Sequence, residues 1–242
     1  MAIELSRNQI YAAVEDFWFK RTSQKDSLVD GGKSGGGARA NGHLGTFTQL
    51  LADLFTQAGI AKADIKSGRP YLPGYYRARK EWDLVVTYRG HLLAAIELKS
   101  QVGGVQKNIN NRFEEALGTA TDTLFAQRKN QAFGTVPPWL GYVLVLEETG
   151  ETEQKDRMTK ALFPTDEEFN GGSYNDRYQI MLSRFLSDQV YNAGWFITTR
   201  NPSDGVDPSV TYSEPLAIAT AEAFVAAIEG RINVVKAIAR DN

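Results

Sequence analysis

The chain has 242 residues, 42% hydrophobic and 11% aromatic, which predicts one domain over residues 1–242 with a substantial core. It has no cysteine, which excludes disulfides, thiol nucleophiles and cysteine-ligated zinc sites. The sequence has no signal-peptide pattern and no apolar run long enough to cross a bilayer, so we expect a cytoplasmic protein without a membrane partner. The net charge is only −2, so net charge alone does not indicate a nucleic-acid partner.

Hydrophobic periodicity and turn residues divide the chain into helices and strands. A capping box of Ser6 and Gln9 marks the first helix, and glycine-rich residues 30–45 predict a loop rather than a linker. In chain order the pattern predicts a helix through 10–18 that fades near Lys25, the loop 30–45, a helix through 47–58, an extended segment at 71–76, strands at 82–88 and 92–99, a helix at 112–126, a strand at 139–146, a helix through 178–186, a strand at 195–199 and a helix at 217–239. This order predicts an α/β fold in which helices flank a mixed central β-sheet.

Three polar residues interrupt the apolar hairpin of residues 81–100. Asp83 lies near the start of one strand, while Glu97 and Lys99 lie two residues apart on the next and therefore share a face. Two carboxylates at a sheet end suit Mg²⁺, and an adjacent ammonium could position an attacking water and offset phosphate charge. These three residues are the candidate catalytic core. The backbone carbonyl of Leu98 is a further candidate metal ligand.

A Glu-x-Lys pair on a solvent-exposed strand face, without any function, would give the same sequence pattern. Ile96 and Leu98 flank the pair, however, and the partner strand is apolar, which favours an internal strand. Unpaired charge is costly there, so we favour a functional site.

The register of the hairpin decides whether its carboxylates meet. A two-residue loop at 89–90 would pair Asp83 with Ile96 and leave Glu97 on the opposite face. A three-residue loop at 89–91 would bring Asp83 opposite Glu97, and a β-bulge would have a similar effect. We therefore predict the three-residue loop or a bulge.

Positive charge is concentrated around this hairpin. Residues 66–129 contain eleven basic and six acidic residues, a net charge of +5, against −7 for the rest of the chain. A DNA cleft needs such local charge, although chance clustering would look the same. The candidate DNA-binding residues are Arg77, Arg79, Lys80, Gln101, Lys107, Asn108, Asn110 and Arg112. Asn111, with Glu114 three residues later, is instead expected to cap the next helix.

Several blocks of the sequence resemble a known nuclease family. The stretches LPGYYRARKEWDLVVTYRGHLLAAIELKSQVG, NNRFEEALGTATD and PWLGY, within residues 72–142, and the later ITTR resemble the XhoI-type type II restriction endonucleases of the PD-(D/E)xK nuclease superfamily. Trp82 stands where the superfamily pattern has a proline that metal binding does not require. Such nucleases often take a third acidic residue from the preceding helix, so the resemblance also implies Asp53, on the polar face of the second helix, as a candidate extra carboxylate.

The resemblance implies a restriction-endonuclease-like core and a prokaryotic, Mg²⁺-dependent homodimer. Such an enzyme hydrolyses phosphodiester bonds of double-stranded DNA at a palindrome, here CTCGAG, and has a cognate DNA methyltransferase that protects the host. Two alternatives stay open: a structure-selective repair or junction nuclease with the same core, and a non-catalytic DNA-binding protein whose carboxylates hold a structural ion. Plasmid digestion separates the three, by discrete bands, selective nicking or binding without cleavage.

Overall fold

The computed structural model describes residues 3–29, 42–155, 161–204 and 209–239, without the side chains of residues 24–29 and 204. The predicted loop at 30–45 therefore lies mostly outside the described residues. Its last part is not a loop, because Gly42–Leu44 form a short 3₁₀ helix and Gly45 begins the next helix. The reason is burial, since His43 and Leu44 both pack inside the protein.

Five α-helices and eight β-strands are formed by the described residues. The helices are α1 Arg7–Val29, α2 Gly45–Gln57, α3 Val105–Asn130, α4 Tyr174–Ser187 and α5 Ala221–Ile238. The strands are β1 Ile65–Lys66, β2 Tyr71–Pro73, β3 Arg79–Glu81, β4 Leu84–Tyr88, β5 His91–Gln101, β6 Leu140–Glu147, β7 Ala193–Thr199 and β8 Tyr212–Ser213. None of the helices in this part of the chain has both the length and the apolar character needed to cross a membrane.

Six strands form a mixed sheet in the order β1-β4-β5-β6-β7-β8. The three central strands, β5, β6 and β7, run parallel to one another, and the other pairs are antiparallel. β2 and β3 form a separate two-stranded antiparallel ribbon. The predicted α/β fold with a mixed central sheet is confirmed.

Each face of the sheet carries its own hydrophobic core. On the first face, α1, α2 and α5 contribute residues such as Phe17, Phe47 and Phe224. On the second face, α3 and α4 contribute Ala120 and Tyr178, among others. Because both faces are covered, the central strands read as continuous apolar runs, and a polar residue within them stands out. That the whole chain forms one domain stays a prediction.

The helix α3 begins seven residues earlier than the predicted start at residue 112. Gly103 and Gly104 adopt positive φ angles of 64° and 54°, which turn the chain sharply out of β5. Val105 and Ile109 are buried in the second core, and this packing extends the helix through a run of asparagines that has little helix propensity. The predicted cap at Asn111 is therefore wrong, whereas the capping box at the start of α1 is confirmed.

Candidate active site

The hairpin of β4 and β5 brings the two predicted carboxylates together by means of a bulge. Its turn has two residues, Arg89 and Gly90, both with positive φ, so the three-residue loop is wrong. The register then shifts between Val86 and Thr87, which is the predicted β-bulge. Leu84 consequently pairs with Ile96. One position further along this antiparallel register, Asp83, just before β4, is opposite Glu97 of β5.

Asp83 lies half-buried just ahead of β4. Its Oδ2 accepts a hydrogen bond of 2.7 Å from the backbone N–H of Leu98, which holds the carboxylate against β5. Burial, and secondly the negative charge of Glu97, raise the pKa of Asp83 from 3.8 to about 6. The shift reports two carboxylates held close together where water screens them little.

Glu97 is only 3% exposed and lies between two ammonium groups. Lys99 Nζ is 2.7 Å from Glu97 Oε1, and Lys80 Nζ is 3.0 Å from Glu97 Oε2. Burial lowers the pKa of Lys99, but the charge and hydrogen bond of Glu97 more than offset this, so the pKa lies above its usual range. Lys99 is therefore a protonated cation at neutral pH.

A third carboxylate approaches this cluster from α3. Glu115 Oε2 is 4.0 Å from Lys99 Nζ and 2.7 Å from a guanidinium nitrogen of Arg112. No motif in the sequence marks Glu115 as part of this cluster. Its approach to Lys99 depends on how α3 crosses the sheet, which no local pattern reveals.

The donor set of the cluster fits a hard divalent cation. Carboxylate oxygens of Asp83 and Glu97 are the ligands that Mg²⁺ prefers. The carbonyl of Leu98 points to the same strand edge as its N–H, which contacts Asp83, so it faces the same space. Burial and the charge of Glu97 together raise the pKa of Asp83, and a bound cation would offset both effects. Among the described residues no group of three or more carboxylate or histidine side chains is close enough for a metal site.

Asp53, the candidate extra carboxylate, is not brought to this cluster. It is exposed on α2, accepts a hydrogen bond of 2.8 Å from Gln49, and lies on a helix that packs against the first face of the sheet. Glu97 and Lys99 alternate with Leu98, whose side chain is in the first core, and so belong to the second face.

The candidate DNA-binding residues fall into two groups around the site. Arg77, Arg79 and Lys80 lie on or beside the β2–β3 ribbon, and the remainder lie at the end of β5 or on α3. Several already have partners within the chain. These pairs are Arg77 with Asp122, Arg79 with the ring of Tyr71, Lys80 with Glu97, Gln101 with the Gly103 carbonyl, Asn108 with the Gly104 carbonyl, and Arg112 with Glu115. Lys107 and Asn110 are exposed on the first turns of α3.

A mixed sheet covered by helices, with an acid–acid–lysine cluster where β4 begins and β5 nears its end, is the arrangement expected of a nuclease of the restriction-endonuclease-like class. Residues 22–208 match the family described as Restriction endonuclease XhoI. The chain therefore belongs to the XhoI restriction endonuclease family, and it is a DNA endonuclease of a restriction system.

Curated relatives cover most of the chain. It is 35% identical to the type II restriction enzyme BstVI of Geobacillus stearothermophilus over 72% of this chain and 79% of that protein. It is 34% identical to the type II restriction enzyme XhoI of Xanthomonas vasicola over 77% of this chain and 78% of that protein. It is 37% identical to the type II restriction enzyme AbrI of Azospirillum brasilense over 67% of this chain and 77% of that protein. No solved structure matches the chain.

Proposed function

We propose that this type II site-specific deoxyribonuclease hydrolyses phosphodiester bonds of double-stranded DNA with Mg²⁺, using Asp83, Glu97 and Lys99. The observation that carries the proposal is the meeting of these side chains, with the Asp83 carboxylate hydrogen-bonded to the Leu98 N–H beside Glu97 and the Lys99 ammonium 2.7 Å from that glutamate. Charges are expensive inside an apolar sheet, and a cluster kept there in spite of this cost indicates a functional site.

Each residue of the cluster has a distinct role in the proposed chemistry. Asp83 and Glu97, together with the Leu98 carbonyl, would hold the cation. Mg²⁺, when bound, supplies Lewis-acid polarisation of the phosphate and of an attacking water. Lys99 keeps a positive charge beside Glu97, where it donates hydrogen bonds to the nucleophile and stabilises negative charge that develops on the phosphate. The bond from Leu98 N–H holds the carboxylate of Asp83 in place throughout.

DNA binding would begin with the basic and amide residues that solvent reaches. Lys107 and Asn110 are exposed at the start of α3, and Arg79 is exposed on the ribbon. Arg77, Asn108 and the others with internal partners would have to exchange those partners for DNA. Because phosphate contacts release counterions, the affinity for DNA should fall steeply with salt concentration.

The recognition sequence CTCGAG, the homodimer and the cytoplasmic setting with a protective methyltransferase belong to the same proposal. Cutting both strands of a palindrome calls for two sites related by a dyad, and an isologous dimer is the simplest arrangement. Light scattering of the protein on a duplex with one site should give the mass of two chains. A monomer both free and on DNA would contradict the dimer.

The direct test is digestion of two plasmids that differ by one base pair, one with a single CTCGAG and one without. With Mg²⁺ the first should become linear and the second should stay intact, and a chelator should stop the reaction. Sequencing of the ends would give the cut position. Nicking only at junctions or flaps would support a repair nuclease, and binding without cleavage would support the non-catalytic alternative.

A further inference from the structure

Both oxygens of Glu97 are already occupied by cations that the chain itself provides. Lys99 Nζ lies 2.7 Å from Oε1, and Lys80 Nζ lies 3.0 Å from Oε2. The two lysines differ in origin, because Lys99 is on the same strand as Glu97, whereas Lys80 comes from the separate β2–β3 ribbon. The sequence predicts Lys80 only as a DNA-binding residue, and its position against Glu97 gives it a second partner.

The charge of the cluster is balanced only while Lys80 is present. Asp83 and Glu97 carry two negative charges when ionised, and Lys80 and Lys99 carry two positive ones. The nearby Glu115 is balanced by its own partner, Arg112. A divalent cation on the same carboxylates would leave an excess of two positive charges in a largely buried space. Such an excess is costly unless a cation leaves or an anion arrives. A DNA phosphate is the anion that the proposed function brings.

Lys80 reaches Glu97 from the separate β2–β3 ribbon and is able to leave it. Its ammonium is carried on a flexible four-carbon stem, and its side chain is 17% exposed, so a path to solvent exists. Besides Glu97 it donates to the carbonyl of Glu81 and lies 5.5 Å from the ring centroid of the buried Trp82. Both contacts are made by the ammonium itself, and they can hold it close to the site after it has left Glu97.

We propose that Lys80 is an internal counter-ion that occupies the place of the divalent cation on Glu97, competes with that cation, and passes to a DNA phosphate when the cation binds. This inference rests on the proposed function, since it takes Glu97 to be a metal ligand. It predicts that, in the absence of DNA, the wild-type chain binds the divalent cation more weakly than a variant that lacks the charge of Lys80. It also couples cation binding to DNA binding, because each event favours release of Lys80 from Glu97.

The test is Mg²⁺ binding to metal-free protein, measured by calorimetry without DNA. Lys80→Met removes the charge and keeps the length of the stem, and Lys129→Met, an exposed lysine near the end of α3, is the matched control. The first variant should bind Mg²⁺ about tenfold more tightly than wild type, and the control should bind as wild type does. In Ca²⁺, the DNA affinity of Lys80→Met should also depend less steeply on salt concentration, by an amount that corresponds to about one phosphate contact.

Lys80→Gln serves if the methionine variant does not fold, and it should tighten Mg²⁺ binding in the same direction. Unchanged or weaker Mg²⁺ binding in a folded Lys80 variant would overturn the inference. Glu97→Gln distinguishes that failure from failure of the proposed function. If wild type binds Mg²⁺ and Glu97→Gln does not, the metal site stands and only the role of Lys80 is lost. If wild type and Glu97→Gln bind Mg²⁺ equally well, Glu97 is not a metal ligand and both proposals are wrong.

Discussion

Two β-hairpins meet at the candidate active site, and they are held in different ways. The β4–β5 hairpin lies inside the six-stranded sheet with apolar side chains packed on both faces. The β2–β3 ribbon stands apart from that sheet, and the turn at its tip is tied to α3 through one carboxylate, Asp122. Sheet register therefore positions the proposed metal ligands, whereas a polar anchor positions the basic ribbon. Substitutions in the two hairpins should therefore have different effects on cleavage and stability.

The largest expected effect comes from the three residues that the sheet positions. Asp83→Ala and Glu97→Ala each remove a proposed metal ligand, so single-turnover cleavage at saturating DNA should fall by several orders of magnitude. Lys99→Ala should lose most cleavage while it keeps Mg²⁺ binding, because the ammonium acts on the nucleophile and on phosphate charge. DNA binding without metal should survive in all three. Rapid-quench kinetics and calorimetry measure the two quantities separately.

Lys99→Arg is the informative companion to these variants. A planar guanidinium does not reproduce a compact ammonium, so this variant should restore little of the cleavage. Circular dichroism should show native folds throughout. Near wild-type single-turnover rates in all three folded alanine variants would show that the catalytic site lies elsewhere.

The anchor of the ribbon should give the next largest effect. Asp122 accepts two backbone N–H bonds of 2.7 Å, from Tyr75 and Tyr76, and its other oxygen is 2.6 Å from Arg77 Nε. Asp122→Ala leaves these donors without a partner, so the unfolding free energy should fall by about 2–4 kcal/mol and DNA affinity should fall with it. Asp122→Asn keeps an amide oxygen for the N–H groups and should lose less. Equal losses in the two variants, measured by denaturant titration, would contradict the anchor.

The unfolding free energy of the metal-free protein should depend on pH through the ionisation of Asp83. Its pKa of about 6 in the folded chain exceeds the ordinary 3.8, so the folded state holds a proton that the unfolded state has released. The unfolding free energy should therefore fall as pH rises from about 4 to about 6, and then level off. Mg²⁺ needs the ionised carboxylate, so its affinity should rise over the same range.

Asp83→Asn should remove this part of the pH dependence of stability. The matched control is Asp53→Asn, which changes an exposed carboxylate on α2. Urea titrations at several pH values would measure the slopes, and an unchanged slope in Asp83→Asn would contradict the assignment.

A smaller effect is expected at the close approach between the ribbon and α3. A Cβ added to Gly74 would collide with the Asp122 carboxylate and lie 2.6 Å from the Arg77 carbonyl oxygen. Gly74→Ala should therefore lower the unfolding free energy by about 1–3 kcal/mol. Gly118→Ala, inside α3 where a Cβ meets no other atom, should instead raise it by about 0.5–1 kcal/mol. Thermal melts of the pair would show opposite shifts, and shifts of the same sign would contradict this packing.

The sheet-held half of the site could be predicted from the sequence, because its signal is local. Asp83, Glu97 and Lys99 stand out in apolar strands, and period-two alternation places the last two on one face. The bulge was one of two predicted routes to the same pairing. The choice between them depends on packing of the whole sheet, which the hairpin sequence does not specify.

The ribbon-held half could not be predicted, because its contacts join distant parts of the chain. The pairs Lys80–Glu97 and Arg77–Asp122 span 17 and 45 residues. Strands of two or three residues, such as β1 and β3, are too short for a periodic pattern. The early start of α3 was missed because burial of Val105 and Ile109 outweighed the low helix propensity of the asparagines.

The most direct test of the account is a crystal structure of the protein with Ca²⁺ and a duplex containing CTCGAG. Ca²⁺ should bind between Asp83, Glu97 and the Leu98 carbonyl, with the scissile phosphate beside Lys99 and with Lys80 turned from Glu97 to a phosphate. An ion and a scissile phosphate bound elsewhere, with Asp83 and Glu97 on opposite faces of the sheet, would contradict it.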